Sequence, residues 1–207
     1  MDSKRAEAFS DGVFAVAITL LVLELLPIGS GVLTAGVLLH AWPEYFAYVV
    51  SFLTIGIMWM NHHTILGHVK RVDRPLLVLN LLLLMGIVAI PFPTTLVAEH
   101  LRDADGKVAT VTYGLVMIVI SAGFAALWVY VVTHASSLGA VVPQDALRQS
   151  VPGFTLGGAV YAAGTLIAAS WSPVAGLIIF GALAIYYLFE HLPSPAEEPA
   201  AGKPPAG

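Results

Sequence analysis

The 207-residue sequence contains no cysteine and only nine basic residues against thirteen acidic ones. The first absence excludes disulfides, thiolate metal centres, iron–sulfur clusters and thiol nucleophiles together. The second, with a net charge of −4, leaves no electrostatic footprint for nucleic acid. Charge of either sign is scarce: 11% of residues are Asp, Glu, Lys or Arg, where a soluble domain carries about 25% to cover its surface. With 58% hydrophobic residues and a mean hydropathy of +0.86, this is not the composition of a water-soluble globule.

Where the charges are absent is as informative as how few there are. None occurs in stretches 25–43, 45–69, 75–98, 108–144 or 149–189. Several of these exceed the roughly 20 apolar residues with which a helix crosses a bilayer. The last is about twice that length and is broken by Ser170, Trp171, Ser172 and Pro173, the pattern of a tight hairpin between two helices. The expected fold is an all-α integral membrane protein with six transmembrane helices, over 12–28, 45–66, 75–98, 109–133, 153–170 and 172–190. A single six-helix transmembrane domain is expected over 1–192. The segment 193–207 holds five of the thirteen prolines with Glu197 and Glu198 and is expected to be a disordered tail.

Lys4 and Arg5 precede the first apolar stretch as in a signal peptide, but Asp11 and Glu24 interrupt it and no small-residue cleavage site closes it, so a retained helix is expected. Basic residues then orient the chain. With the N-terminus inside, that side holds Lys4, Arg5, Lys70, Arg71, Arg74, Arg148 and Lys203, against Arg102 and Lys107 outside. Both termini are expected in the cytoplasm of a protein of the cell membrane. The basic loop at 70–74 is also suited to anionic lipid.

At about 100° per residue, Val16, Leu20, Leu23 and Pro27 fall within roughly 60° of one another, with Thr19 at the border. Periodicity alone accounts for this stripe by helix packing. Ser10 and Asp11 project elsewhere, and two uses are open for them: capping the helix N-terminus or bonding to another helix. Glu24 is expected to snorkel to the outer interface. Gly153, Gly157 and Gly158 permit close approach of the fifth helix to a neighbour.

The pattern Arg5-x-x-x-Phe9-Ser10-Asp11, continuing through Val16, Thr19, Leu23 and Pro27, resembles the signature of the lysosomal potassium channel transmembrane protein 175 and its prokaryotic relatives. Trp59-Met60-Asn61-His62-His63 and Asn80, followed by Leu-rich sequence into Pro91-Phe92-Pro93, resemble the second and third helices of that family. The resemblance implies a potassium-permeable, weakly to moderately selective cation channel, not an enzyme. It needs no cofactor beyond the permeant potassium ion. A single six-helix repeat implies a homotetramer whose pore is formed by helix one of four subunits. Carried onto this chain, the constriction falls on Val16, Leu20 and Leu23, with Thr19 supplying a hydroxyl. Val16 stands where many relatives have isoleucine. Arg5, Phe9, Ser10, Asp11, Trp59, Asn61, His62, His63 and Asn80 become an inter-helical network supporting the first helix.

Two other patterns compete. Thr110-Val-Thr-Tyr-Gly114 is one letter from a carbonyl-lined potassium filter, but β-branched Thr112 replaces the glycine and no pore helix precedes it. His62, His63 and His68 resemble a metal-binding histidine box, yet the remaining histidines stand alone, and hydrogen bonding by Trp59 and His63 to adjacent helices accounts for the spacing. The alternative function is a proton-coupled secondary transporter using Asp11 and His63, a class in which internal repeats and broken helices are the rule.

Overall fold

The structure is a computed structural model that describes residues 3–23, 25, 34–140 and 144–189, the stretch 144–155 by its backbone only. Glu24, Pro27, the side chains of Arg148 and Gly153, and the tail from 193 with Lys203 lie outside the described residues. In order, the helices are α1 (Ser3–Leu20), α2 (Ala35–His40), α3 (Trp42–Gly67), α4 (Arg74–Val88), α5 (Pro91–His100), α6 (Gly106–Thr133), α7 (Ala135–Leu138), α8 (Gln144–Ser170) and α9 (Pro173–Phe189). Among the described residues, four segments are long and apolar enough to cross a membrane: 3–23, 42–67, 74–100 and 106–133. The shorter apolar helices Leu156–Ser170 and Pro173–Phe189 complete the bundle.

Several boundaries differ from the sequence expectation, among them the start of α8, which lies at Gln144 and not at 153. Helix α1 begins at Ser3, more than two turns before residue 12, because nothing in Lys4–Asp11 breaks a helix once its inner face is packed. The expected span 75–98 is present but divided into α4 and α5. Pro91 has no N–H to give, and the chain passes the gap on tighter three-residue bonds, Ala89 N to Gly86 O and Ile90 N to Ile87 O, at 3.2 and 3.1 Å. Residues 110–114 lie inside α6, so they form a helix and not a filter. The hairpin at 170–173 is where the sequence placed it, with Trp171 turned outward and the Ser172 Oγ accepting from Ala175 N.

The bundle is held differently from a soluble core, since lipid is as apolar as leucine and close packing carries the association. The most extensive pairings are α6 with α8 and α8 with α9. Of the three glycines expected to allow close approach, Gly157 does so against the Tyr187 hydroxyl, while Gly158 has only Ser121 at 3.7 Å. Tighter positions are Gly114, where a Cβ would overlap the Thr165 Oγ1, Gly164, where it would lie 2.6 Å from the Phe180 ring, and Gly176, where it would lie 2.7 Å from the Ala168 Cβ. Inside the bundle, Ser51 bonds both Thr94 and the Tyr113 hydroxyl, at 2.8 and 3.2 Å, so these buried polar groups pair with one another across α3, α5 and α6.

At one end, the loop 68–73 is tied to the segment after α6 by Arg71 N donating to Leu138 O, and Gly139 closes α7 with a left-handed φ of 61°. Asp73 caps α4 by accepting from Leu76 N at 3.0 Å and also accepts from the Tyr130 hydroxyl at 2.7 Å. Partial desolvation pushes its carboxyl up, but these two donors outweigh it and hold the group below the usual aspartate range. A carboxyl depressed in this way stabilises the fold above the ordinary aspartate pKa of about 3.9, and that contribution fades as pH falls through the lowered value. Asp73→Ala is therefore expected to cost about 1 kcal/mol near neutrality. Thermal melts at pH 7 and pH 3 should show the gap to the unsubstituted protein closing in acid.

Candidate pore helix and its clamp

Helix α1 stands at the edge of the bundle, packed against α3 and α4. Its inner face is formed by Ser3, Ala6, Ser10, Phe14 and Ala17, continued by Leu21, all buried. The opposite arc is open. Phe9, Val16, Leu20 and Leu23 are exposed to 56, 54, 37 and 50%, and Ala8, Gly12, Ala15 and Thr19 share that side. A Cβ added at Gly12 would meet nothing within 4 Å. So the four residues expected at a constriction, Val16, Thr19, Leu20 and Leu23, lie together on one free apolar surface. The Thr19 hydroxyl donates to the backbone oxygens of Ala15 and Val16, at 2.9 and 3.0 Å, which commits its proton and leaves oxygen lone pairs to face outward. It is an acceptor toward anything on this surface.

The inner face is clamped by polar bonds, all within two turns of the first half of the helix. Trp59 Nε1 donates to Asp11 Oδ1 at 2.9 Å, and His63 Nδ1 meets Glu7 Oε1 at 2.7 Å. Deeper in, Asn80 Nδ2 donates to Ser10 Oγ at 3.0 Å, and Ser10 Oγ donates to Ala6 O at 2.8 Å. His62 Nε2 lies 2.7 Å from Asn80 Oδ1. Because the amide nitrogen is directed at Ser10, the amide oxygen is an acceptor, so His62 carries its proton on Nε2. Its Nδ1 is buried with no hydrogen-bond partner among the described residues, and its ring lies 5.3 Å from that of Phe14.

Of the two uses open for Ser10 and Asp11, the N-cap is excluded: α1 starts seven residues before Ser10, and both side chains bond other helices. Of the expected network, Ser10, Asp11, Trp59, His62, His63 and Asn80 come together. Three do not. Phe9 belongs to the open arc, Arg5 is exposed and makes no hydrogen bond or ion pair with another described residue, and half-buried Asn61 makes no hydrogen bond among them. Glu7 was not foreseen. A signal existed in the matched spacing of Glu7 with Asp11 and Trp59 with His63, each pair four residues apart and so on one helix face. Asp11 and His63 do not bond each other, so the relay of the alternative reading is not assembled in this arrangement. His62, His63 and His68 reach Asn80, Glu7 and the backbone oxygen of Thr64, three separate partners.

The antiparallel order of these bonds, Glu7 to His63 and Asp11 to Trp59, puts the start of α1 at the same end as the loop carrying Lys70, Arg71 and Arg74. The contact of Tyr130 with Asp73 brings the end of α6 there too.

Residues 5–91 match the family model described as endosomal/lysosomal potassium channel TMEM175. A potassium channel of Streptomyces collinus is 45% identical over 206 residues, covering 97% of this chain and 98% of that one. The human endosomal/lysosomal proton channel TMEM175 is 30% identical over 146 residues, covering 65% of this chain and 29% of that one. Among solved structures, the crystal structure of a lysosomal potassium-selective channel TMEM175 homolog from Chamaesiphon minutus aligns with a TM-score of 0.78 at 35% identity, covering 90% of this chain and 96% of that one. The first and second matches share the stretch that builds α1 and its clamp, and the last shares the bundle around it, so this chain belongs to the TMEM175 channel family.

Proposed function

We propose that the protein is a potassium-permeable cation channel of the cell membrane, assembled from four copies of a six-pass chain around a central axis. The observation that carries this reading is the two-sidedness of α1: a clamped inner face, and an unoccupied outer arc that is apolar, free of ionisable side chains from Gly12 to Leu23, and lined by residues small enough for helices to converge. Four such arcs enclose rings of Val16, Leu20 and Leu23. A ring without charge or carbonyl ligands gates by dewetting when it narrows. Potassium holds its water less tightly than sodium, so a passage that strips water with little compensation favours potassium. The Thr19 oxygens supply that weak compensation. Selectivity is then modest, set by dehydration and not by a cage.

The gathering of the ends of α1, α3 and α6 around the basic loop supports reading that side as the cytoplasmic one, and the same reading puts both termini there. Residues 1–192 act as one domain and 193–207 as a tail. In planar bilayers with opposed potassium and sodium gradients, the purified protein is expected to pass uncoupled current that reverses nearer the potassium equilibrium potential. Transport that saturates and requires a second solute would instead favour a coupled permease, and the channel reading would fall.

A further inference from the structure

We infer that Glu7 is a positioning residue for the pore helix: through His63 it sets the rotation of α1 and so decides which side chains face the conduction path. This rests on reading α1 as the pore helix. Glu7 and Asp11 lie one turn apart on α1, Trp59 and His63 one turn apart on α3, and each pair is joined rung by rung at 2.7 and 2.9 Å. A single rung leaves a helix free to swivel about that contact; two rungs along its length, with the Ser10–Asn80 bond on a third line, do not.

All of these points lie between Glu7 and Asp11. Beyond them, among the described residues, the inner face of α1 is held by apolar contacts alone, Phe14, Ala17 and Leu21 being buried and Val13 and Ile18 packed beside them, and no side-chain hydrogen bond crosses from that half to another helix. Apolar contacts tolerate small rotations that directional bonds do not. The outer half therefore inherits its angle from the clamped half. Val16 and Leu20 are about 40° apart around the axis, so a swivel of that size brings one of them to the angle the other held and turns that other away. Glu7 is the partly solvated rung, its side chain 22% exposed and that of His63 58%, so removing it loosens the angle without leaving a buried orphan.

The absence of cysteine makes a direct test possible. Val13 and Ala15 flank the open arc on its two sides, the first half-buried and the second exposed. In full-length protein in liposomes, the rates at which a cationic methanethiosulfonate reagent modifies V13C and A15C report rotation through their ratio. Glu7→Ala is expected to change that ratio at least threefold, and His63→Ala to do the same. The double variant should add nothing further, and Glu7→Gln, which keeps an acceptor oxygen at the same reach, should stay within twofold of the unsubstituted clamp. The potassium-to-sodium permeability ratio should move in Glu7→Ala and return in Glu7→Gln. A modification ratio unchanged in both alanine variants, or effects that simply add, overturns the inference even in a conducting channel. A ratio that moves in a protein carrying no current supports the rung and sinks the pore reading instead.

Discussion

Val16→Asn and Leu20→Asn are expected to raise conductance about tenfold and to shift the reversal potential toward zero under opposed potassium and sodium gradients. In the proposed tetramer each substitution appears four times around the axis, so even a few tenths of a kcal/mol of relief per side chain sums to the roughly 1.4 kcal/mol that a tenfold change in rate requires. The amide supplies donors and acceptors where a valine or leucine ring offers none, which lowers the cost of wetting the constriction and of losing part of an ion's hydration shell. Both positions lie on the free arc and touch no part of the clamp, so the substitutions should leave assembly intact. Ala17→Asn is the matched control on the buried face and should damage stability without opening a path. Single-channel recording and liposome flux check these outcomes together. Unchanged flux in both Val16 and Leu20 variants would place the constriction elsewhere.

Asn80→Leu is expected to produce the largest loss of stability of any substitution in the clamp. Asn80 is buried and bonds His62 with its oxygen and Ser10 with its nitrogen, joining α3, α4 and α1 at one point. Its removal leaves His62 with neither ring nitrogen paired, because Nδ1 already lacks a partner. A buried polar group stripped of its bond costs about 1–3 kcal/mol. Ser10→Ala should cost less, since Ser10 leaves one amide hydrogen of Asn80 unmatched while the His62 bond survives. The two changes act on one network and should not add. Melting temperature in detergent and retention of the assembled state on gel filtration measure both. If Asn80→Leu melts no lower than Ser10→Ala, the bond to His62 contributes nothing and the clamp rests on Asp11 and Glu7.

The membrane character, the approximate places of the helices, the hairpin at 170–173 and the one-sided stripe on α1 were all legible from the order of residues. Each is a local property: uncharged length against bilayer thickness, turn residues between apolar runs, a 100° step. The family signature carried further, because Ser10, Asp11, Trp59, His62, His63 and Asn80 do meet. The start of α1 was misplaced because Lys4 to Asp11 is too polar to resemble a span. It is helical because its inner side chains bond to α3 and α4.

What only the tertiary structure decided is which polar residue answers which. Periodicity puts Phe9 and Ser10 about 100° apart, but it does not say which of the two faces out and which is sealed between helices. It shows Glu7 as one more charge near the N-terminus, when the antiparallel register of α3 sets His63 against it. A helix presents a face at every angle, and its sequence states what lies on each; the partner is chosen by the helices packed beside it, at separations of 48 to 70 residues along the chain that no local pattern spans.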